Sequence, residues 1–162
     1  MKKIIITGGL GYIGTELCKI YSGYSWNDRI TVIDNRFVSE RVNQIRNWNM
    51  NFVQGDILDK DFINTHCHDA DIVHHLAGIT NVPRVKSESN KKHDEKIKLV
   101  AEKGTQNILD AINDKCKIIL PSTHVIYEGL SKIQKNIQEE DRSSPILAYS
   151  KSKDFNEKQL KA

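Results

Sequence analysis

A chain of 162 residues with 24 Lys and Arg against 21 Asp and Glu carries a net charge of +3, and 38% of its residues are hydrophobic. That length suits one domain able to bury about 70% of its unfolded surface, and so small a charge without a basic-aromatic surface pattern argues against a nucleic-acid partner. No apolar run approaches the length of a membrane helix, the run after Lys2-Lys3 is too short for a signal peptide, and three irregularly spaced cysteines, Cys18, Cys67 and Cys116, read as reduced thiols of a cytoplasmic protein.

The first element is a short apolar strand, Ile4-Ile5-Ile6, that stops at Thr7-Gly8-Gly9. Gly8, Gly11 and Gly14 then follow at a G-x-x-G-x-x-G spacing and lead into residues 15–21, which read as a helix. Glycine lets the chain double back and lets a diphosphate approach with no Cβ in the way. The N–H groups at the start of the helix face that phosphate. A second strand, residues 29–35, is β-branched and ends in Asp34 and Asn35. Asp34 stands where a carboxylate accepts both hydroxyl protons of an adenosine ribose, which favours NAD over NADP. The plainer role for Asp34 is a turn residue closing a strand, and Arg36 could accommodate a 2′-phosphate. Strand, glycines, helix and acid in this order predict a Rossmann-type domain.

Further strands are expected at residues 50–54, 71–76 and 116–120, the last stopped by Pro121. A helix over residues 94–112 carries Ile97, Val100, Ala101, Ile108 and Ala111 on its core face. This alternation predicts an α/β, doubly wound parallel sheet of order 3-2-1-4-5, with helices on both faces and ligands at the carboxyl ends of the strands. Residues 84–92, polar and without periodicity, are the expected disordered stretch. The charge run from Lys91 to Lys98 reads as a solvated helix start. His66-Cys67-His68 has no second ligand cluster at matching spacing, so no metal site is expected. His74 and His75, at a strand end, read as satisfied structural histidines.

Beyond the fifth strand come Ser122-Thr123 and then Tyr149-Ser150-Lys151-Ser152-Lys153, with the tyrosine and the last lysine on one helix face. With these residues in place the chain resembles the extended short-chain dehydrogenase/reductase superfamily, in its NAD-dependent epimerase/dehydratase group acting on nucleotide sugars. The matching pieces are residues 7–14, Gly55-Asp56-Ile57, His75-Leu76-Ala77-Gly78, residues 104–109, Ser122-Thr123 with Ile126-Tyr127, and Tyr149 with Lys153.

The resemblance implies that Tyr149 is a general acid/base on a sugar hydroxyl, that Lys153 holds the nicotinamide ribose and lowers the tyrosine pKa, and that Thr123 orients the reacting oxygen. It implies cofactor contacts for Gly8, Gly11, Tyr12, Ile13, Gly14, Asp34, Asn35, Asp56, Ile57, Leu76, Ala77, Gly78, Tyr149 and Lys153, with Asp56 and Ile57 flanking the adenine and Ala77 and Gly78 passing close to the diphosphate or ribose. One cation about 4 Å from a phenolate supplies about 4 kcal/mol at an effective dielectric of 20, roughly the three-unit shift that a tyrosine base needs near neutrality.

Departures narrow the chemistry. Dehydratases of this group carry Asp-Glu after the threonine; here His124 and Val125 stand there, and valine moves no proton. The usual Val-Tyr-Gly becomes Ile126-Tyr127-Glu128-Gly129, and Ala101 replaces an asparagine. Members of the group run to about twice this length, so the chain is expected to be the cofactor-binding part, residues 1–162, without the substrate region. Its open sheet edge would favour a homodimer. The expected function is an NAD-dependent nucleotide-sugar epimerase or reductase. A non-catalytic NAD-binding regulatory module and a small-alcohol dehydrogenase are the alternatives.

Overall fold

A computed structural model describes residues 1–24, 28–80, 82, 85–131 and 135–161. Five parallel strands, β1 (Lys3–Thr7), β2 (Arg29–Asp34), β3 (Asn51–Gln54), β4 (Ile72–His75) and β5 (Lys117–Ile119), form one sheet in the order β3-β2-β1-β4-β5. The helices are α1 (Tyr12–Ser22), α2 (Ser39–Asn47), α3 (Lys60–Cys67), α4 (Lys91–Ala111) and α5 (Ala148–Lys161). Both the fold class and the strand order are those expected. Contacts group the chain into two compact units, the first being residues 1–78 with 104–121 and the second residues 79–103 with 122–162.

In the first unit β1 is the middle strand, and Ile4, Ile5 and Ile6 are all buried, at 2%, 0% and 0% exposure. Successive strand side chains point to opposite faces, so both faces of β1 are covered, as a doubly wound sheet requires. Ile4 and Ile6 join Ile30 and Val32 of β2, Cys18 of α1, and Val42 and Ile45 of α2 in one core. β1 runs in register with β2 from Lys3 opposite Arg29 to Thr7 opposite Ile33, and with β4 from Ile4 opposite Ile72 to Thr7 opposite His75. The parallel arrangement brings the carboxyl ends of β1, β2 and β4 to one edge. α3 begins with Asp59, whose carboxylate accepts the Phe62 N–H at 3.0 Å.

The second unit carries the start of α4, a short 3-10 turn at His124–Tyr127, and α5, which packs on that turn. Here Asn156 of α5 donates to the Ala101 carbonyl at 3.0 Å, and Gln159 donates to the Glu102 carbonyl at 3.2 Å. The stretch expected to be disordered is ordered where it is described. Lys86–Glu88 make a 3-10 turn and α4 starts at Lys91, with residues 85–92 exposed throughout. Arg84 lies outside the described residues. Polarity without periodicity is equally the signature of an exposed turn leading into a solvated helix, and Lys91, Lys92, Lys96 and Lys98 are indeed exposed.

Candidate functional site

The loop after β1 is built by close backbone approach. Gly8 has φ +67°, and a Cβ there would stand 2.6 Å from the Ala77 nitrogen. Such a φ is strained for any residue with a side chain. A Cβ on Gly14 would stand 2.6 Å from the Gly8 carbonyl oxygen, so α1 sits directly against the loop that precedes it. Gly11 is the N-cap of α1, with no side-chain cap and no acidic residue in the first turn. That helix end therefore presents N–H groups and a partial positive charge with no carboxylate competing for them. Tyr12 and Ile13, which open the helix, are 80% and 61% exposed.

Asp34 ends β2 and is 5% exposed. Its Oδ2 accepts the Leu10 N–H at 3.0 Å, while Oδ1 accepts from the Arg36 backbone N–H at 3.1 Å and the Arg36 guanidinium at 3.2 Å. The carboxylate thus holds the glycine loop as well as standing at its mouth. Arg41 of α2 donates to the Leu10 carbonyl, so both backbone groups of Leu10 are fixed by side chains.

Asp56 follows β3. Its Oδ1 accepts the Leu58 N–H at 3.0 Å and its Oδ2 accepts from Asn35 at 3.3 Å. Ile57 is buried, its carbonyl takes the Asn107 amide at 2.9 Å, and a Cβ on Gly104 would stand 2.3 Å from its Cδ1. The Gly-Thr-Gln-Asn start of the matching segment in α4 therefore locks the loop after β3 in place.

After β4, Ala77 donates its N–H to the Thr7 hydroxyl at 3.3 Å. Thr7 Oγ1 is 2.8 Å from His75 Nδ1, and His75 Nε2 is 3.0 Å from Thr105 Oγ1. This buried chain joins the ends of β1 and β4 to α4. His74 Nε2 pairs with the Tyr21 hydroxyl at 2.8 Å. Gly78 lies in open space, with no atom within 4 Å of a Cβ placed on it. The first unit thus gathers Gly8, Gly11, Tyr12, Ile13, Gly14, Asp34, Asn35, Asp56, Ile57, Leu76, Ala77 and Gly78 onto strand ends, loops and the start of α1.

Thr123, Tyr149 and Lys153 belong to the second unit. Thr123 opens the 3-10 turn, and its hydroxyl accepts the Val125 N–H at 3.4 Å. Tyr149 and Lys153 lie one turn apart on α5, with Lys153 Nζ 6.0 Å from the centroid of the Tyr149 ring. Burial pushes the Tyr149 phenol above its ordinary value, and burial pushes the Lys153 ammonium below its own.

Several contributors escape a reading of the spacing alone. Gly9 is one, since a Cβ there would stand 2.1 Å from Val32 Cγ1. The doubled glycine in Gly8-Gly9 was its only signal. Arg41 left none, and although Thr7, His75 and Thr105 each lie in a matching segment, nothing in the sequence tells that they join, because they stand far apart along the chain.

A profile of the 3-beta hydroxysteroid dehydrogenase/isomerase family matches residues 5–162. The chain is 30% identical over 132 residues to a UDP-N-acetyl-alpha-D-glucosaminuronate decarboxylase of Bacillus cytotoxicus, covering 78% of this chain and 38% of that protein. It is 30% identical over 170 residues to a dTDP-D-glucose 4,6-dehydratase of Dictyostelium discoideum, covering 94% of this chain and 38% of that protein. The crystal structure of UDP-glucose 4-epimerase from Brucella ovis in complex with NAD matches it with a TM-score of 0.80 at 26% identity, over 99% of this chain and 47% of that one. The chain spans less than half the length of these relatives.

Proposed function

The chain belongs to the 3-beta hydroxysteroid dehydrogenase/isomerase family, within the extended short-chain dehydrogenases that include nucleotide-sugar epimerases and dehydratases, and from that membership we propose that it is the NAD-binding part of a nucleotide-sugar epimerase or reductase. The observation that carries this reading is Tyr149 and Lys153 one turn apart on α5, in a chain that also builds the glycine loop and Asp34.

The first unit fits the cofactor. Gly8 and Gly14 leave no room for side chains where the backbone closes, α1 starts without a side-chain cap, and Gly78 faces open space. Gly11 and the first N–H groups of α1 would hold the diphosphate. Asp34 would accept the ribose hydroxyl protons, exchanging the Arg36 bonds for them. Asp56 and Ile57 would border the adenine, beside Asn35. Ala77 and Gly78 would stand near the diphosphate or ribose, with Leu76 beside them.

When bound, NAD supplies the hydride acceptor and one positive charge. Tyr149 would take the proton of the hydroxyl whose carbon is oxidised, Thr123 would hydrogen-bond that oxygen, and Lys153 would hold a ribose and lend its charge. Because burial alone raises the phenol, Tyr149 is a base near neutrality only with that added positive charge. Val125 has no proton to give and His124 stands where the dehydratases carry aspartate, so epimerisation or reduction suits this chain better than elimination of water. The three relatives described above are named for UDP- or dTDP-sugars, and another match is a CDP-paratose 2-epimerase of Salmonella typhi, which supports the substrate class.

The test uses the full-length protein with a panel of UDP-, dTDP- and CDP-sugars. Tyr149→Phe is expected to lower kcat by about 10²–10⁴-fold while NAD affinity stays within twofold. Undiminished turnover in that variant sinks the assignment.

A further inference from the structure

Where the resemblance expects glycine after Ile126-Tyr127, this chain has Glu128, followed by Gly129. One oxygen of that glutamate, Oε1, accepts the Ile146 N–H at 2.9 Å, the Leu147 N–H at 2.7 Å and the Ser150 hydroxyl. Ile146 and Leu147 immediately precede α5, and Ser150 is a fully buried residue of its first turn, next to Tyr149. The Ser150 hydroxyl also lies 2.9 Å from the Leu147 carbonyl oxygen.

Helix starts leave N–H groups without partners inside the helix, and a local Ser, Thr, Asp or Asn usually takes one. Here a residue from a different segment takes two amides just before the helix and brings a negative charge to its positive end. Burial pushes the Glu128 carboxyl up, but the bonds from Leu147, Ser150 and Ile146 and the charge of Lys151 outweigh it and hold the group below the ordinary carboxylate range.

The neighbouring backbone closes the same junction. Ser144 donates to the Ile126 carbonyl at 2.8 Å, and Gly129 donates to the Ser144 carbonyl at 2.9 Å. A Cβ on Gly129 would stand 2.5 Å from that Ser144 oxygen. Displacing the glycine by one residue therefore does two things. It keeps a glycine at the close approach, and it frees the preceding position for the glutamate.

We propose that Glu128 is a positioning residue for Tyr149 and Lys153: its carboxylate ties the first turn of α5 to the 3-10 turn that Thr123 opens, so that threonine, tyrosine and lysine share one frame. The proposal rests on the catalytic reading of Tyr149 given above. Glu128 itself touches no reacting atom. It sets where the tyrosine stands.

The test compares Glu128→Ala, Glu128→Gln and Tyr149→Phe in the same chain, by amide exchange and by the ¹³Cζ resonances of labelled tyrosines. In Glu128→Ala the Ile146 and Leu147 amides are expected to exchange at least tenfold faster. The Tyr149 resonance, identified by its loss in Tyr149→Phe, is expected to move toward the position of free tyrosine. Glu128→Gln keeps a carbonyl oxygen that can accept both amides, so its exchange should stay within threefold of the parent and its Tyr149 resonance should not move. Should Glu128→Ala fail to fold, Glu128→Asp, one methylene too short to reach both amides, gives the same two readouts with the charge retained.

Unchanged exchange overturns the proposal. Faster exchange with an unmoved Tyr149 resonance overturns it too, because Glu128 would then be a helix cap and nothing more. Full turnover in Tyr149→Phe would instead remove the catalytic reading while leaving both signals as stated, so the two failures are told apart.

Discussion

Gly8 and Gly78 belong to the same pair of loops, yet a methyl group would meet opposite surroundings at each. At Gly8 it meets the Ala77 nitrogen at 2.6 Å on a backbone with φ +67°, and at Gly78 it meets nothing within 4 Å. Gly8→Ala is therefore expected to destabilise the fold by at least about 2 kcal/mol, read as a lower urea midpoint. Gly78→Ala should stay within about 0.5 kcal/mol of the parent and weaken NAD binding if that space is where the cofactor runs. Equal stability of the two variants would mean that the loop does not close as described. Gly8 and Asp34 were legible because their chemistry is local: a turn needs glycine, and a strand end needs its acid. Arg41 was not, because its role is to reach the Leu10 carbonyl from a helix of its own.

At the scale of elements, β4 and α1 are joined through His74 and Tyr21, whose ring and hydroxyl meet at 2.8 Å. Burial, with Lys117 nearby as a second cause, holds the His74 pKa below its ordinary 6.5. Below that pH the unfolded chain binds the proton more readily than the folded one, so stability present above 6.5 is lost as pH falls through the folded value. The urea midpoint should fall between pH 7 and pH 5, and His74→Gln should flatten that slope. An unaltered slope would assign the acid sensitivity to other groups. Element order and strand ends could be read from apolar runs and their stops. What fastens one element to another could not, since Thr7, His75 and Thr105 carry no periodic signature. Glu128 stood out in the sequence only as an oddity, and its use became visible once residues 126–129 lay beside residues 144–147.

For the molecule as a whole, a ligand that binds only the folded chain adds stability by mass action. At NAD concentrations a hundredfold above its dissociation constant the gain is about 2.7 kcal/mol, which for a chain of this size raises Tm by roughly 5–10 °C. Asp34→Ala should remove most of that rise at the same concentration, and an undiminished rise would place the ribose elsewhere. The doubly wound sheet itself was foreseeable from alternating strands and helices, whereas the division into two compact units was not, because α4 runs through both. The three buried isoleucines of β1 carry a consequence of their own. A strand with one wet face is told its alignment by which side chains dislike water, but Ile4, Ile5 and Ile6 are alike on both faces, so sliding by one residue would exchange isoleucine for isoleucine. The alignment mark must then lie at the strand's end, in the Thr7 hydroxyl against His75 and in Gly8 against Ala77. The end of the sheet offered to a ligand is also the stop that tells β1 how far to go.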